Sequence, residues 1–118
     1  MSLFDNLPHT INLSHVTAQQ GSLVSARLAK DATPYVEEEP AFVQPADATE
    51  ITEFAARSLK VTHRVYINEL PDGIRLSDML DVTSGPYSGY SLKVMGWKEA
   101  TAGVLDKWKI MGEVTREG

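Results

Sequence analysis

Apolar and polar positions alternate with a period of two in several short runs, and a single run repeats with a helical period. His9–Thr17 is the first alternating run, with Ile11, Leu13, His15 and Thr17 on one face and Thr10, Asn12, Ser14 and Val16 on the other. That period predicts a half-buried strand. Ala18–Ser22, centred on Gly21, reads as a turn, and Leu23–Lys30 as a second strand. The two strands together form a hairpin. Asp31–Pro40 reads as a loop with Tyr35 and Val36 as a short edge strand, because Asp31-Ala32-Thr33-Pro34 is turn chemistry. Glu37–Glu39 followed by Pro40 sits poorly in a central strand. Ala41–Gln44 is a short strand stopped by Pro45.

The helical run follows. Asp47 reads as an N-cap and Glu50 as its capping-box partner, with Ile51, Phe54 and Ala55 as the apolar stripe. Glu53 and Arg57 stand at i, i+4. The helix is expected near 47–58, too short to persist without packing on a sheet. Lys60–Ile67 alternates again, with Val61, His63, Val65 and Ile67 facing away from Thr62, Arg64 and Tyr66. Pro71-Asp72-Gly73 and Gly85-Pro86-Tyr87-Ser88-Gly89 are turns. Between and after them lie strands at Met79–Ser84, at Tyr90–Lys98, broken or bulged near Gly96, and at Trp108–Val114. Glu99–Lys107 is a loop and Thr115–Gly118 a frayed end. About six or seven short strands and one short helix, joined by long loops, predict a mainly β fold: a small antiparallel β-barrel. Residues 1–8 read as an extended arm with apolar Leu3, Phe4 and Leu7, and 9–118 as a single barrel domain.

Composition narrows the function more by exclusion than by assignment. A chain of 118 residues is one domain. It contains no cysteine, which removes disulfides, cysteine-based zinc sites and thiol nucleophiles. No leader pattern opens it, and no apolar run approaches the ~20 residues of a membrane helix, so no membrane partner is expected. The net charge of −5 comes from dispersed groups, with Glu37-Glu38-Glu39 the one run of like charge. A free-standing DNA reader shows a basic face, which this sequence lacks. An acidic wall is nevertheless compatible with DNA sliding past it, because repulsion keeps the polymer from sticking.

Recognisable catalytic chemistry is missing. His9, His15 and His63 stand at no metal-ligand spacing, and neither a phosphate-binding loop nor a nucleophile elbow is present. Asp78 and Asp81 are one of many carboxylate pairs offered by 16 acidic residues. Tyr66, Tyr87, Tyr90, Trp97 and Trp108 lie on or beside strands without interleaved basic residues, so they read as core and rim and not as a base-stacking platform. No cofactor and no enzymatic activity are expected.

One stretch carries a family resemblance. Ala41-Phe42-Val43-Gln44-Pro45-Ala46, Glu50-Ile51-Thr52-Glu53-Phe54 and Val61-Thr62-His63-Arg64-Val65-Tyr66 resemble the head-closure (head–tail joining) proteins of tailed bacteriophages. His9-Thr10-Ile11-Asn12-Leu13 is similar to their first strand, Tyr90–Gly96 to a later one and Trp108–Met111 to their closing strand. Leu76–Leu80 stands where a GDRL-like element is expected, with Asp78 present and the Gly and Arg absent. The resemblance implies a small β-barrel that forms a homo-oligomeric ring in the virion neck, assembled in the host cytoplasm. Such a ring sits below the portal and its adaptor protein, closes the head on its packaged double-stranded DNA, and docks the tail through a tail terminator or tail tube protein. On that reading Leu3, Phe4, Leu7, Tyr35, Glu37, Glu38 and Glu39 are candidate contacts between subunits or rings. Glu69, Asp72 and Arg75 form a candidate channel or docking loop. Tail-completion or tail-terminator proteins are similar enough to stand as an alternative. A small β-barrel module that binds nucleic acid or peptide is the alternative from another class.

Overall fold

The computed structural model describes residues 7–22, 25–31, 33–100 and 107–118, with the backbone alone over 17–22 and 25–29. Eight strands and one helix follow in the order β1 (His9–Ser14), β2 (Val16–Ser22), β3 (Ser25–Lys30), β4 (Val36–Pro45), α1 (Ala48–Ala55), β5 (His63–Ile67), β6 (Met79–Val82), β7 (Ser91–Ala100) and β8 (Lys107–Arg116). Six of them close into an antiparallel barrel in the order β1-β4-β5-β8-β7-β6, with β6 pairing back onto β1. β2 and β3 form a separate two-stranded sheet. The mainly β barrel with one short helix is thus the fold that the alternation predicts.

A barrel of six strands has room inside only for its own side chains. Here the filling is Ile11, Leu13, Ala41, Val43, Val65, Ile67, Leu80, Val82, Leu92, Val94 and Ile110. Seven of these eleven are β-branched, the shape that packs best on a pleated surface. A second, smaller cluster lies outside the barrel wall. Phe54 of α1 packs there on Val61 and Met111, with Ala46, Leu59 and Met95 around them. The expected bulge of β7 makes this possible. The register slips between Val94 and Gly96, so Met95 joins the outer cluster and Trp97 packs against the barrel core. A Cβ at Gly96 would stand 3.3 Å from the Phe54 ring, so a side chain there would press on the helix.

Several expected boundaries move. The single strand His9–Thr17 is cut at His15 into β1 and β2. Ala18–Ser22 is strand and not turn, and residues 23–24 lie outside the described residues. The expected pairing of the two runs survives only in Val16↔Lys30 and its neighbours, while β1 pairs with β4 and β6. Half of the Asp31–Pro40 loop is strand as well, because β4 begins at Val36. Pro40 is tolerated opposite Thr10 because the Thr10 backbone faces the other way: its N–H donates to Ser84 Oγ and its carbonyl accepts from Thr83. The missing proline N–H therefore removes no bond between β1 and β4. The three glutamates are accommodated by a bulge: Glu38 has φ 51°, and its N–H is taken by the Asn12 side chain at 2.8 Å.

The helix keeps its predicted start and loses its predicted end and face. Asp47 accepts from the Glu50 N–H at 2.8 Å and Glu50 accepts from the Asp47 N–H at 3.0 Å, a complete capping box. α1 stops at Ala55, however, and Ser58 turns the chain at φ 60°. Its buried residues are Glu50 and Phe54, whereas Ile51 is 45% exposed and Ala55 is also exposed. Glu53 and Arg57 do not form the expected ion pair; Arg57 lies 5.1 Å over the Phe54 ring instead. Strand β5 is shorter than Lys60–Ile67, since Val61 packs under the helix and the Thr62 hydroxyl accepts the Val114 N–H at 2.8 Å.

Candidate functional site

At the point where the chain leaves the barrel for β2, three distant stretches are tied to one buried carboxylate. Asp78 is 2% exposed. It accepts from His15 Nδ1 at 3.0 Å, from the Tyr35 hydroxyl at 2.7 Å and from the Arg75 backbone N–H at 2.9 Å. A carboxylate holding two such donors can only accept from the third, so His15 carries its proton on Nδ1. The imidazole and the Tyr35 ring stack with centroids 4.0 Å apart and planes 12° from parallel. Burial, then the neighbouring Asp78, push the Tyr35 hydroxyl far above the ordinary tyrosine range. It stays a neutral donor.

This knot positions a groove beside it. Tyr35 and Val36, held to β1 through the Tyr35 N–H bond to the Leu13 carbonyl, form one side. Glu69, Leu70, Pro71 and Asp72 form the other, held by the turn that the Arg75–Asp78 bond closes. Glu39 completes the lining, and the groove has a volume of about 400 Å³. Val36, Leu70 and Pro71 are its apolar lining, and its carboxylates, Glu39, Glu69 and Asp72, have no basic side chain among the described lining residues. Such a surface suits a segment that is apolar or uncharged along its length and positive at one point.

The two groups of candidate residues, read from separate stretches, therefore meet. Tyr35 and Glu39 from one group and Glu69 and Asp72 from the other line the same groove. Glu37 and Glu38 are exposed beside it without lining it, and the exposed Arg75 contributes its backbone to Asp78. Leu7 is half-buried and Pro8 exposed. Leu3 and Phe4 lie outside the described residues. Val36, Leu70 and Pro71, which also line it, carried no signal of function in the sequence. Nor did the pairing of His15 with Asp78, 63 positions apart. Asp81, once paired with Asp78 as an acid/base possibility, instead accepts from Lys30 at 2.9 Å and Ser91 at 2.6 Å.

The opposite flank of the barrel holds a second charged cluster, built on the capping box. Glu50 is 5% exposed and takes Lys109 Nζ and, at 3.1 Å, Arg64 Nη1. Arg64 also reaches Asp47 at 3.1 Å and Gln44 at 3.0 Å. Burial alone would raise the Glu50 carboxyl, but Lys109, the Asp47 N–H and Arg64 outweigh it and hold it below its ordinary range. Every charge here is compensated inside the molecule, so the cluster reads as a clasp between α1, β5 and β8. Among the described residues no group of three His, Asp or Glu side chains is placed to hold a metal ion. No helix is long and apolar enough to cross a membrane.

Compared with known proteins, the chain matches no family model and no curated protein. It is similar to a solved structure, the solution structure of protein SF1141 from Shigella flexneri 2a, a structural-genomics target. The match covers 99% of this chain and 100% of that one with a TM-score of 0.63 and 18% identity. At that identity the likeness concerns the fold.

Proposed function

We propose that this protein is a structural component of a tailed-phage neck. In that role it forms a ring below the portal and its adaptor, closes the DNA-filled head and presents the surface on which the tail docks. The observation that carries this reading is the β2–β3 hairpin. It belongs to a separate sheet, paired with no barrel strand among the described residues, and a lone two-stranded hairpin is marginal in water. A hairpin of that kind on an otherwise closed barrel is a feature that an assembly can use. The molecule is correspondingly long, 55 × 32 × 27 Å with a radius of gyration of 14.7 Å, against about 13.5 Å for a compact chain of this length. The acidic groove agrees with the role in two ways. It offers a docking surface for a neighbour, and its charge repels DNA in a channel.

In this reading the partners are further copies of the chain, the portal adaptor, a tail terminator or tail tube protein, and DNA in transit. Imaging the neck of purified particles tests it. A ring of density between adaptor and tail that accepts this barrel is the expected result. Absence of the protein from particles overturns the reading, and density inside the tail end alone transfers it to a tail-completion role.

A further inference from the structure

We infer that the β2–β3 hairpin of one copy lies in the acidic groove of a neighbouring copy. The choice of a second copy as occupant rests on the ring reading above; the choice of the two surfaces rests on their charge and form. Between Val16 and Lys30 the chain holds two basic residues, Arg27 and Lys30, and no carboxylate, although the whole chain carries a net charge of −5. Lys30 is already held by Asp81 at the hairpin's base. Arg27, paired with Gln19, stands three rungs further out, about 10 Å along the ribbon. Along the ribbon Arg27 thus stands beyond Lys30, away from the hairpin's base.

The groove is the counterpart. It has apolar Val36, Leu70 and Pro71, three carboxylates, and no described basic lining. The ribbon is also narrow in composition, because Ala18, Gly21, Ser22, Ser25, Ala26 and Ala29 are all small, which suits a groove of about 400 Å³. The outer edges of β2 and β3 have no ladder partner among the described residues, so their backbone groups are available to a neighbour. Hairpin and groove are different patches of one surface. A contact between them is heterologous, and it propagates from copy to copy until rotation closes a ring.

The test exploits the absence of cysteine from the natural chain. Copies carrying Gln20→Cys are mixed with size-tagged copies carrying Glu69→Cys under mild oxidation. The expected product is a disulfide between the two differently sized chains. It should diminish when Arg27→Glu is added to the first chain or Asp72→Lys to the second, and return when both charge changes are combined. In the cysteine-free protein, Asp72→Lys should weaken self-association roughly tenfold, with a midpoint that rises with salt. Unchanged urea midpoints show that the variants fold. Disulfides only between identical variants, or none, overturn the contact, as does capture of a basic partner protein without any copy-to-copy product. The two proposals fail separately. Neck density without the mixed disulfide removes the contact and leaves the ring. The mixed disulfide with no protein in particles removes the neck and leaves the self-association.

Discussion

Two buried carboxylates hold the two flanks of this barrel, and they are satisfied by different means. Glu50, under the helix, faces two cations, Lys109 and Arg64. Asp78, beside the groove, faces a phenol, an imidazole and a backbone N–H. The first flank closes on itself: a capping box, an ion cluster and a packed aromatic leave it complete. The second flank gathers three loops around a carboxylate and ends in an acidic groove and a hairpin with no strand of its own barrel to pair with. On the proposed reading, the Asp78 side is the face that meets a neighbour.

Breaking the helix flank should cost the most stability. Glu50→Ala leaves Lys109, whose side chain is 12% exposed, without its carboxylate, and a loss of about 3 kcal/mol is expected in urea unfolding. If the cluster is a clasp and nothing more, Glu50→Leu combined with Lys109→Met should recover most of that loss, since hydrophobic replacement of a buried ion pair is often neutral. Failure to recover would assign the cluster a role beyond stability.

Asp78→Leu should cost about 2 kcal/mol by stranding the Tyr35 hydroxyl and the His15 Nδ1–H. It should also loosen the groove, so hydrogen exchange should accelerate at Leu70–Arg75 while α1 stays protected. Equal acceleration on both flanks would mean that the barrel ends are not independent.

Acid should act on this molecule in two separate pH ranges. Burial holds His9 below its ordinary range, and its Nδ1 accepts the Val43 N–H at 3.0 Å, so the folded form prefers the neutral ring. His63 is lowered chiefly by burial too, partly offset by Glu117. The unfolded chain thus binds more protons at these sites. Their contribution is present above the ordinary histidine pKa of about 6.5 and is lost as pH falls through and below it. Glu50, also lowered, contributes above the ordinary carboxylate range and loses that contribution as pH falls through it. Urea midpoints should therefore fall in two steps on acidification, and His9→Gln should flatten the upper one.

The smallest stability change is expected in the groove. Glu69→Ala and Asp72→Ala, both at exposed positions, should stay within about 0.5 kcal/mol of the natural protein. Their effect should appear in self-association instead, which sharpens the contrast between a flank that holds the fold and a flank proposed to meet a partner.

Local signals in the chain were sufficient for much of this molecule. Alternation placed β1 and β5; Asp47 and Glu50 placed the helix start; Gly96 marked the irregularity in β7. Each depends on residues within a few positions of one another, where spacing alone decides which side chains share a face. What tertiary structure decided is where long-range partners override those local preferences. Pro40 enters a strand because Thr10 turns its backbone to the far side. Glu50 takes a buried place in the stripe, and Ile51 does not, because Lys109 and Arg64 arrive from other strands to neutralise it. The groove exists only once His15, Tyr35 and Asp78 meet across 63 positions. A one-dimensional pattern records which residues tend to be buried together. Which charge answers which, and which charges go unanswered, is set by the closure of the barrel.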